Sequence, residues 1–177
     1  MKWPASPRRV RELVDEFYES LYRYAYRLTG KADQADDLTQ ETFCRAQMQW
    51  RQLRDSSRPK PWLFAILRNC FLRGLRDERT ARQVPLGDAA ELTAIREDEP
   101  LFEVDLAELQ AVLDALPEAF RTPLILFYFE EFTYRDIADQ MNVPIGTVMS
   151  RLARGKACLR QRLEQRLADA AGGQRGL

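Results

Sequence analysis

Between Phe132 and Ala157 the chain reads FTYRDIADQMNVPIGTVMSRLARGKA, and four residues able to do chemistry fall in one line. Thr147, Ser150, Arg151 and Arg154 recur at spacings i, i+3, i+4 and i+7. Hydroxyls and guanidiniums along one helix edge suit phosphate oxygens and the edges of base pairs. From Ile145 to Arg166 the bases are Arg151, Arg154, Lys156, Arg160, Arg162 and Arg166, against Glu164 as the single acid. A second set lies in KPWLFAILRNCFLRGLRDERT, Lys60 to Thr80, where Trp62, Phe64 and Phe71 interleave with Arg68, Arg73, Arg76 and Arg79. Rings stack on bases and cations pair with phosphates, so this composition suits single-stranded nucleic acid, at roughly 1–3 kcal/mol per stacked base. The same aromatics serve a helical core equally well. A third set, DDLTQETFCRA from Asp36 to Ala46, puts acids and amides on one edge and Leu38, Thr42 and Phe43 on the other.

Helices are needed to hold these residues in line. Leu13, Phe17, Leu21, Ala25 and Leu28 predict a first helix over 8–28, with Gly30 at its C-terminal cap. Leu38, Thr42, Phe43, Ala46 and Trp50 predict a second over 33–50. Ser56 to Lys60 reads as a loop, and Pro61 suits the first turn of a third helix reaching about Thr80. Periodicity then fails and acids accumulate. Beyond this stretch, Leu106, Leu109, Val112, Leu113 and Leu116 form one amphipathic segment, and Pro117 opens another containing Phe120, Leu124, Phe127 and Tyr128. In the stretch quoted first, Thr133 can cap a helix whose positive end Asp136 suits, with Ile137, Ala138 and Met141 facing inward. Asn142-Val143-Pro144 interrupts it, because proline has no amide donor and restricts its predecessor. A further helix starts near Gly146 with Val148, Leu152 and Leu159 inward. Two short helices around a tight turn, the second with a basic outer edge, form the helix-turn-helix that places a helix in a major groove. Gly155 interrupts that helix at a cost of about 1 kcal/mol relative to alanine, and is read as a site of close helix packing.

The expected fold class is therefore all-α: two small helical domains joined by an acidic, flexible linker, the C-terminal domain containing the helix-turn-helix. The boundaries fall at residues 1–82, 83–103 and 104–170, with a disordered tail at 171–177. Charge follows this division. Lysine plus arginine balances aspartate plus glutamate at 27 each, yet residues 1–85 carry net +6, residues 86–116 net −8 and residues 117–177 net +2. Two basic blocks around an acidic one suit a polyanion ligand. The absence of histidine removes Cys/His zinc fingers, histidine acid–base catalysis and Ser/His/Asp triads. Cys44, Cys70 and Cys158, mostly on apolar helix faces, read as reduced, buried thiols of a cytoplasmic protein, and no run approaches a membrane span or a signal peptide. No cofactor and no metal are expected.

DDLTQETFCRA, PWLFAILRN and LPEAF…FTYRDIADQMNVPIGTVMSRLARGK, in that order, resemble bacterial RNA polymerase sigma factors. The short length, with room for region 2 and region 4 only, resembles the extracytoplasmic-function subgroup, and the likeness covers roughly residues 10–165. The resemblance implies a non-enzymatic subunit that binds core RNA polymerase and directs promoter-specific initiation. Asp37, Gln40, Glu41 and Phe43 would dock on a coiled coil of the largest polymerase subunit. Ser57, Arg58, Lys60, Trp62 and Asn69 would line the pocket for a base of the melted non-template strand at the minus-ten element, with Arg73 and Arg76 also on that DNA. Arg135, Gly146, Thr147, Ser150, Arg151 and Arg154 would serve the duplex minus-thirty-five element. Met149 stands where such proteins often carry a base. The resemblance also admits an anti-sigma factor as a partner and offers no membrane contact.

Two other classes compete. A stand-alone helix-turn-helix regulator would bind duplex DNA as a dimer and would have no use for an aromatic-basic melting surface. A nucleotide hydrolase could use Asp37 and Glu41 as half of a magnesium site. It would need a second carboxylate pair, drawn from Glu12, Asp15, Glu16 or Glu19.

Overall fold

The computed structural model describes residues 7–53, 55–82 and 105–173, and every described element is a helix or a turn. The chain divides into two compact units, Met1–Gly87 and Asp88–Leu177. The expected acidic linker at 83–103, Arg54 and residues 174–177 lie outside the described residues.

In the first unit α1 spans Pro7–Thr29, α2 Ala32–Gln49 and α3 Pro59–Arg82, with a 3-10 turn at Trp50–Gln52 after α2. The predicted stripe of α1 is buried throughout, joined by Tyr24. Gly30 closes the helix at φ 69, donating its amide to the Tyr26 carbonyl at 2.8 Å; that left-handed backbone favours glycine. On α2, Leu38, Phe43 and Ala46 are buried together with Thr39 and Thr42. Threonine can enter this core because each hydroxyl donates to the carbonyl one turn back, Ala35 and Leu38, at 2.7 Å. α3 begins at Pro59, two residues before the proline expected to open it, and both prolines sit in the first turn where no amide partner is needed.

Phe64 and Phe71 belong to the core. Phe64 is 0% exposed and stacks on Tyr24 at 4.9 Å, and Phe71, two turns further along α3, is buried as are Leu67 and Cys70. Their interleaving with arginines is therefore a by-product of helical periodicity: these two rings face inward and Arg73 and Arg76 reach solvent, while the side chain of Arg79 lies outside the described residues. Among the described arginines of this set Arg68 is buried on α3 and offers little to a nucleic-acid surface.

The second unit has α4 at Leu106–Asp114, α5 at Glu118–Tyr128, α6 at Tyr134–Met141 and α7 at Ile145–Gly173. α4, α5 and α6 all pack on α7. α7 runs through Gly173, into the segment expected to be frayed. α5 buries more than predicted, adding Thr122, Pro123, Ile125 and Leu126 to Phe120 and Leu124. Phe127 instead stacks on Tyr134 at 4.9 Å, and Tyr128 is exposed.

The helix-turn-helix forms from local rules. Thr133 and Asp136 make a reciprocal capping box: the Asp136 amide donates to Thr133 Oγ1 at 3.1 Å, and the Thr133 amide donates to the Asp136 carboxylate at 3.3 Å. Such a cap contributes on the order of 1 kcal/mol. The stop is made by Asn142, left-handed at φ 52, with Val143 donating back to the Ala138 carbonyl at 3.1 Å. Pro144 then opens α7, its carbonyl accepting from Thr147 at 2.9 Å and Val148 at 3.2 Å. Proline restarts the chain here; asparagine ends the previous helix.

Candidate nucleic-acid interface

Val148, Leu152 and Leu159 are buried against the rest of the second unit, as the spacing predicted. That fixes the rotation of α7. Ser150 and Arg154 are exposed, Thr147 and Arg151 half-exposed on their flank, and Gly146 is exposed at the start of the helix. The Ser150 hydroxyl donates to the Thr147 carbonyl at 3.0 Å, which turns its oxygen lone pairs outward from the helix. Arg135 is exposed on α6, so all six residues expected at a duplex are solvent-accessible on the two helices of one motif. Met149 is 53% exposed and Ile145 45%; apolar groups on a DNA-facing helix meet thymine methyls better than phosphates.

Gly155 explains itself through α5. A Cβ placed there would stand 2.9 Å from Leu124 Cδ1, 3.1 Å from Leu124 Cγ and 3.4 Å from Phe120 Cβ. The glycine lets α5 and α7 approach closely, at the residue directly after Arg154 and on a different face of the helix.

On α3, Trp62, Asn69, Arg73 and Arg76 recur at helical spacing on one stripe, spanning about 21 Å along the axis. Asn69 and Arg76 are exposed; Trp62 and Arg73 are half-exposed. Ser57 and Arg58, both exposed, sit in the loop just before this helix. There the Ser57 amide and hydroxyl donate to Asp55 Oδ1 at 2.9 and 2.6 Å, and these bonds hold the Asp55 carboxyl below its ordinary pKa. A charged aspartate thus fixes the loop. Lys60 leaves the stripe: its ammonium lies over the Phe64 ring at 5.5 Å from the centroid.

The expected docking residues on α2 divide. Asp37, Gln40 and Glu41 are exposed, but Phe43 is 7% exposed and its ring stacks parallel to Tyr18 at 6.4 Å. Phe43 supports the face from beneath and offers it no surface. The exposed stripe continues through Cys44 and Met48, the latter 71% exposed. Sequence periodicity could have found both, since Cys44 and Met48 lie seven and eleven residues after Asp37. Cys44 is thereby a correction to the expectation of buried thiols; Cys70 and Cys158 are buried. Glu41 is tied to Arg45 by contacts of 2.6 and 2.7 Å. Burial, then the neighbouring Glu41 carboxylate, pushes the Cys70 thiol above its ordinary pKa. Among the described residues no group of three His, Cys, Asp or Glu is placed to hold a metal ion, and no helix is long and apolar enough to cross a membrane.

Comparison with known proteins gives these faces a context. Residues 13–81 match Sigma-70 region 2 and residues 106–159 match Sigma-70 region 4. Two all-α units carrying these matches define a sigma-type transcription initiation protein. The ECF RNA polymerase sigma factor EcfG of Rhodopseudomonas palustris is 36% identical over 79% of this chain and 77% of its own length. SigE of Mycolicibacterium smegmatis is 34% identical over 90% of this chain, which spans 63% of that longer relative. Among solved structures, the sigma factor RpoE in complex with the anti-sigma factor NepR from Bartonella quintana is similar. Its TM-score is 0.72 at 28% identity, covering 87% of this chain and 96% of that one. The chain belongs to the ECF RNA polymerase sigma factors. As a sigma factor it works with core RNA polymerase on promoter DNA to initiate transcription.

Proposed function

We propose that each of the three exposed faces performs one step of promoter use. The α2 stripe of Asp37, Gln40 and Glu41, extended by Met48, docks on a basic helical surface of core polymerase, charge setting the orientation and the thioether adding apolar contact. The α3 stripe of Trp62, Asn69, Arg73 and Arg76, with Ser57 and Arg58 in the preceding loop, holds the melted minus-ten strand. Capturing a flipped base costs a few kcal/mol of unstacking, which these ring and phosphate contacts offset. Arg135, Gly146, Thr147, Ser150, Arg151 and Arg154 engage the minus-thirty-five duplex, Arg154 at a base edge or phosphate, Thr147 and Arg151 on the backbone.

In this reading residues 1–82 are the region 2 domain, 83–103 the acidic linker and 104–170 the region 4 domain. The protein is cytoplasmic and performs no catalysis of its own. An anti-sigma factor is a regulatory partner, as NepR is for the similar RpoE. The observation that carries most weight is the rotation of α7, which buries Val148 and Leu152 and leaves Ser150 and Arg154 in solvent.

Run-off transcription with purified core polymerase tests the assignment. Arg154→Ala should lower initiation from a minus-thirty-five-dependent promoter on the order of 10- to 100-fold, with core association unchanged; wild-type transcription by the variant would remove Arg154 from the interface. A pull-down tests the other face. Asp37→Lys with Glu41→Lys should abolish polymerase association while leaving helix content intact by circular dichroism. Undiminished association would move the docking site elsewhere. Specific, tight binding of the free chain to promoter duplex, without polymerase, would favour the stand-alone regulator.

A further inference from the structure

Trp50 continues the apolar stripe of α2 in sequence, but the structure does not bury it there. At this residue the chain tightens into a 3-10 turn, Trp50–Gln52, and the change of winding takes the indole out of register with Leu38, Phe43 and Ala46. Trp50 is left half-buried, with its ring edge-to-face against Trp62 at 6.1 Å and an interplanar angle of 87°. An edge-to-face pair braces both rings while leaving ring face that an offset stack would cover. On Trp50 that face is reached by a cation from another helix: the Arg9 guanidinium of α1 lies over it, 5.8 Å from the centroid. Trp62 is in turn the first residue of the α3 stripe that continues through Asn69, Arg73 and Arg76.

We infer that Trp50 and Arg9 form a second stacking site, next to Trp62, for an unpaired nucleobase of the melted promoter strand. The inference rests on the proposed role of the α3 stripe and adds to it two residues from outside α3. A half-exposed indole whose face already carries a guanidinium, edge-on to a second indole and contiguous with a row of arginines, has the composition of a single-strand platform. A duplex cannot use it, because paired bases present no free face. An arriving base takes the Trp50 face, and the Arg9 guanidinium, carried on an exposed side chain, passes to the flanking phosphate. Stacking of this kind tolerates any base, so the site adds grip on the open strand without adding sequence preference.

The test uses holoenzyme assembled from core polymerase and the full chain, on a forked template with a single-stranded minus-ten region and on the matching duplex. Trp50→Leu should weaken fork binding about 5- to 100-fold, with duplex binding and core association unchanged. Trp50→Phe, which keeps an aromatic face, should retain most of the affinity. Arg9→Ala should lower the slope of log affinity against log salt by about 0.7, the loss of one single-strand phosphate contact. Wild-type fork binding by Trp50→Leu, or an equal loss on fork and duplex, would overturn the stacking site. An unchanged salt slope would overturn the part assigned to Arg9. If instead wild-type holoenzyme fails to prefer the promoter fork over a random-sequence fork, the proposed role of α3 falls first.

Discussion

Phe64→Ala should destabilise the first unit by about 3–5 kcal/mol, the usual consequence of emptying a fully buried phenylalanine site. Its ring is 0% exposed, stacked on Tyr24 at 4.9 Å and covered by the Lys60 ammonium. Removing it leaves a void lined by Tyr24 and the α1–α3 contact, which rigid helices cannot close without shifting other packed residues. The readout is convenient: all three tryptophans, Trp3, Trp50 and Trp62, fall in this unit, so urea denaturation followed by tryptophan fluorescence reports on it alone. The neighbouring Trp62→Ala removes a half-exposed ring and should cost less, about 1.5 kcal/mol, while impairing promoter opening more than Phe64→Leu does. If Phe64→Ala left the midpoint unmoved, the inward rotation of α3 would be wrong, and with it the separation of structural from DNA-facing aromatics.

In the second unit the largest effect is expected at Gly155. Leucine there has to share space with Leu124 and Phe120, where even a single Cβ would stand 2.9 Å from Leu124 Cδ1. Overpacking on this scale costs about 3 kcal/mol. Alanine is the control. Its methyl must displace both Cδ1 and Cγ of the buried Leu124, 2.9 and 3.1 Å away. That cost offsets the gain of about 1 kcal/mol from losing a glycine in the helix, so the loss should be well below that of leucine. This unit holds no tryptophan, so amide hydrogen exchange along α5 and α7 is the suitable probe. Gly155→Leu should speed exchange in both helices and reduce initiation from minus-thirty-five-dependent promoters, because forcing α5 away from α7 re-aims Arg154. Protection equal to that of the natural chain would mean that the close approach carries no weight.

Local sequence rules were enough for the helices and for the helix-turn-helix. The Thr133–Asp136 box, the inward line of Val148, Leu152 and Leu159, and the outward line of Ser150 and Arg154 follow from spacing alone, because an α-helix offers one rotation that buries its apolar stripe. Identical chemistry in two environments was harder to read. Phe64 and Phe71 sit among arginines in sequence, and tertiary packing assigns them to the interior. Cys44 reads as a buried thiol by residue type, yet its spacing from Asp37 puts it, with Met48, on the exposed stripe. Trp50 was placed on the α2 stripe because no residue type announces a change from α to 3-10 winding. Asn142 shows the same limit at a helix end, where the proline two residues later drew attention from the left-handed residue that makes the stop.

α7 carries the DNA-facing turns at its beginning and continues without a break from Ile145 to Gly173. A helix of that length is a rod of about 43 Å, and it is clamped about a third of the way along, where Gly155 meets Leu124. Such a rod behaves as a lever on a fulcrum. Whatever grips its far end decides the tilt at which its near end meets a groove, so aim could be adjusted from a distance without touching a single base-reading side chain.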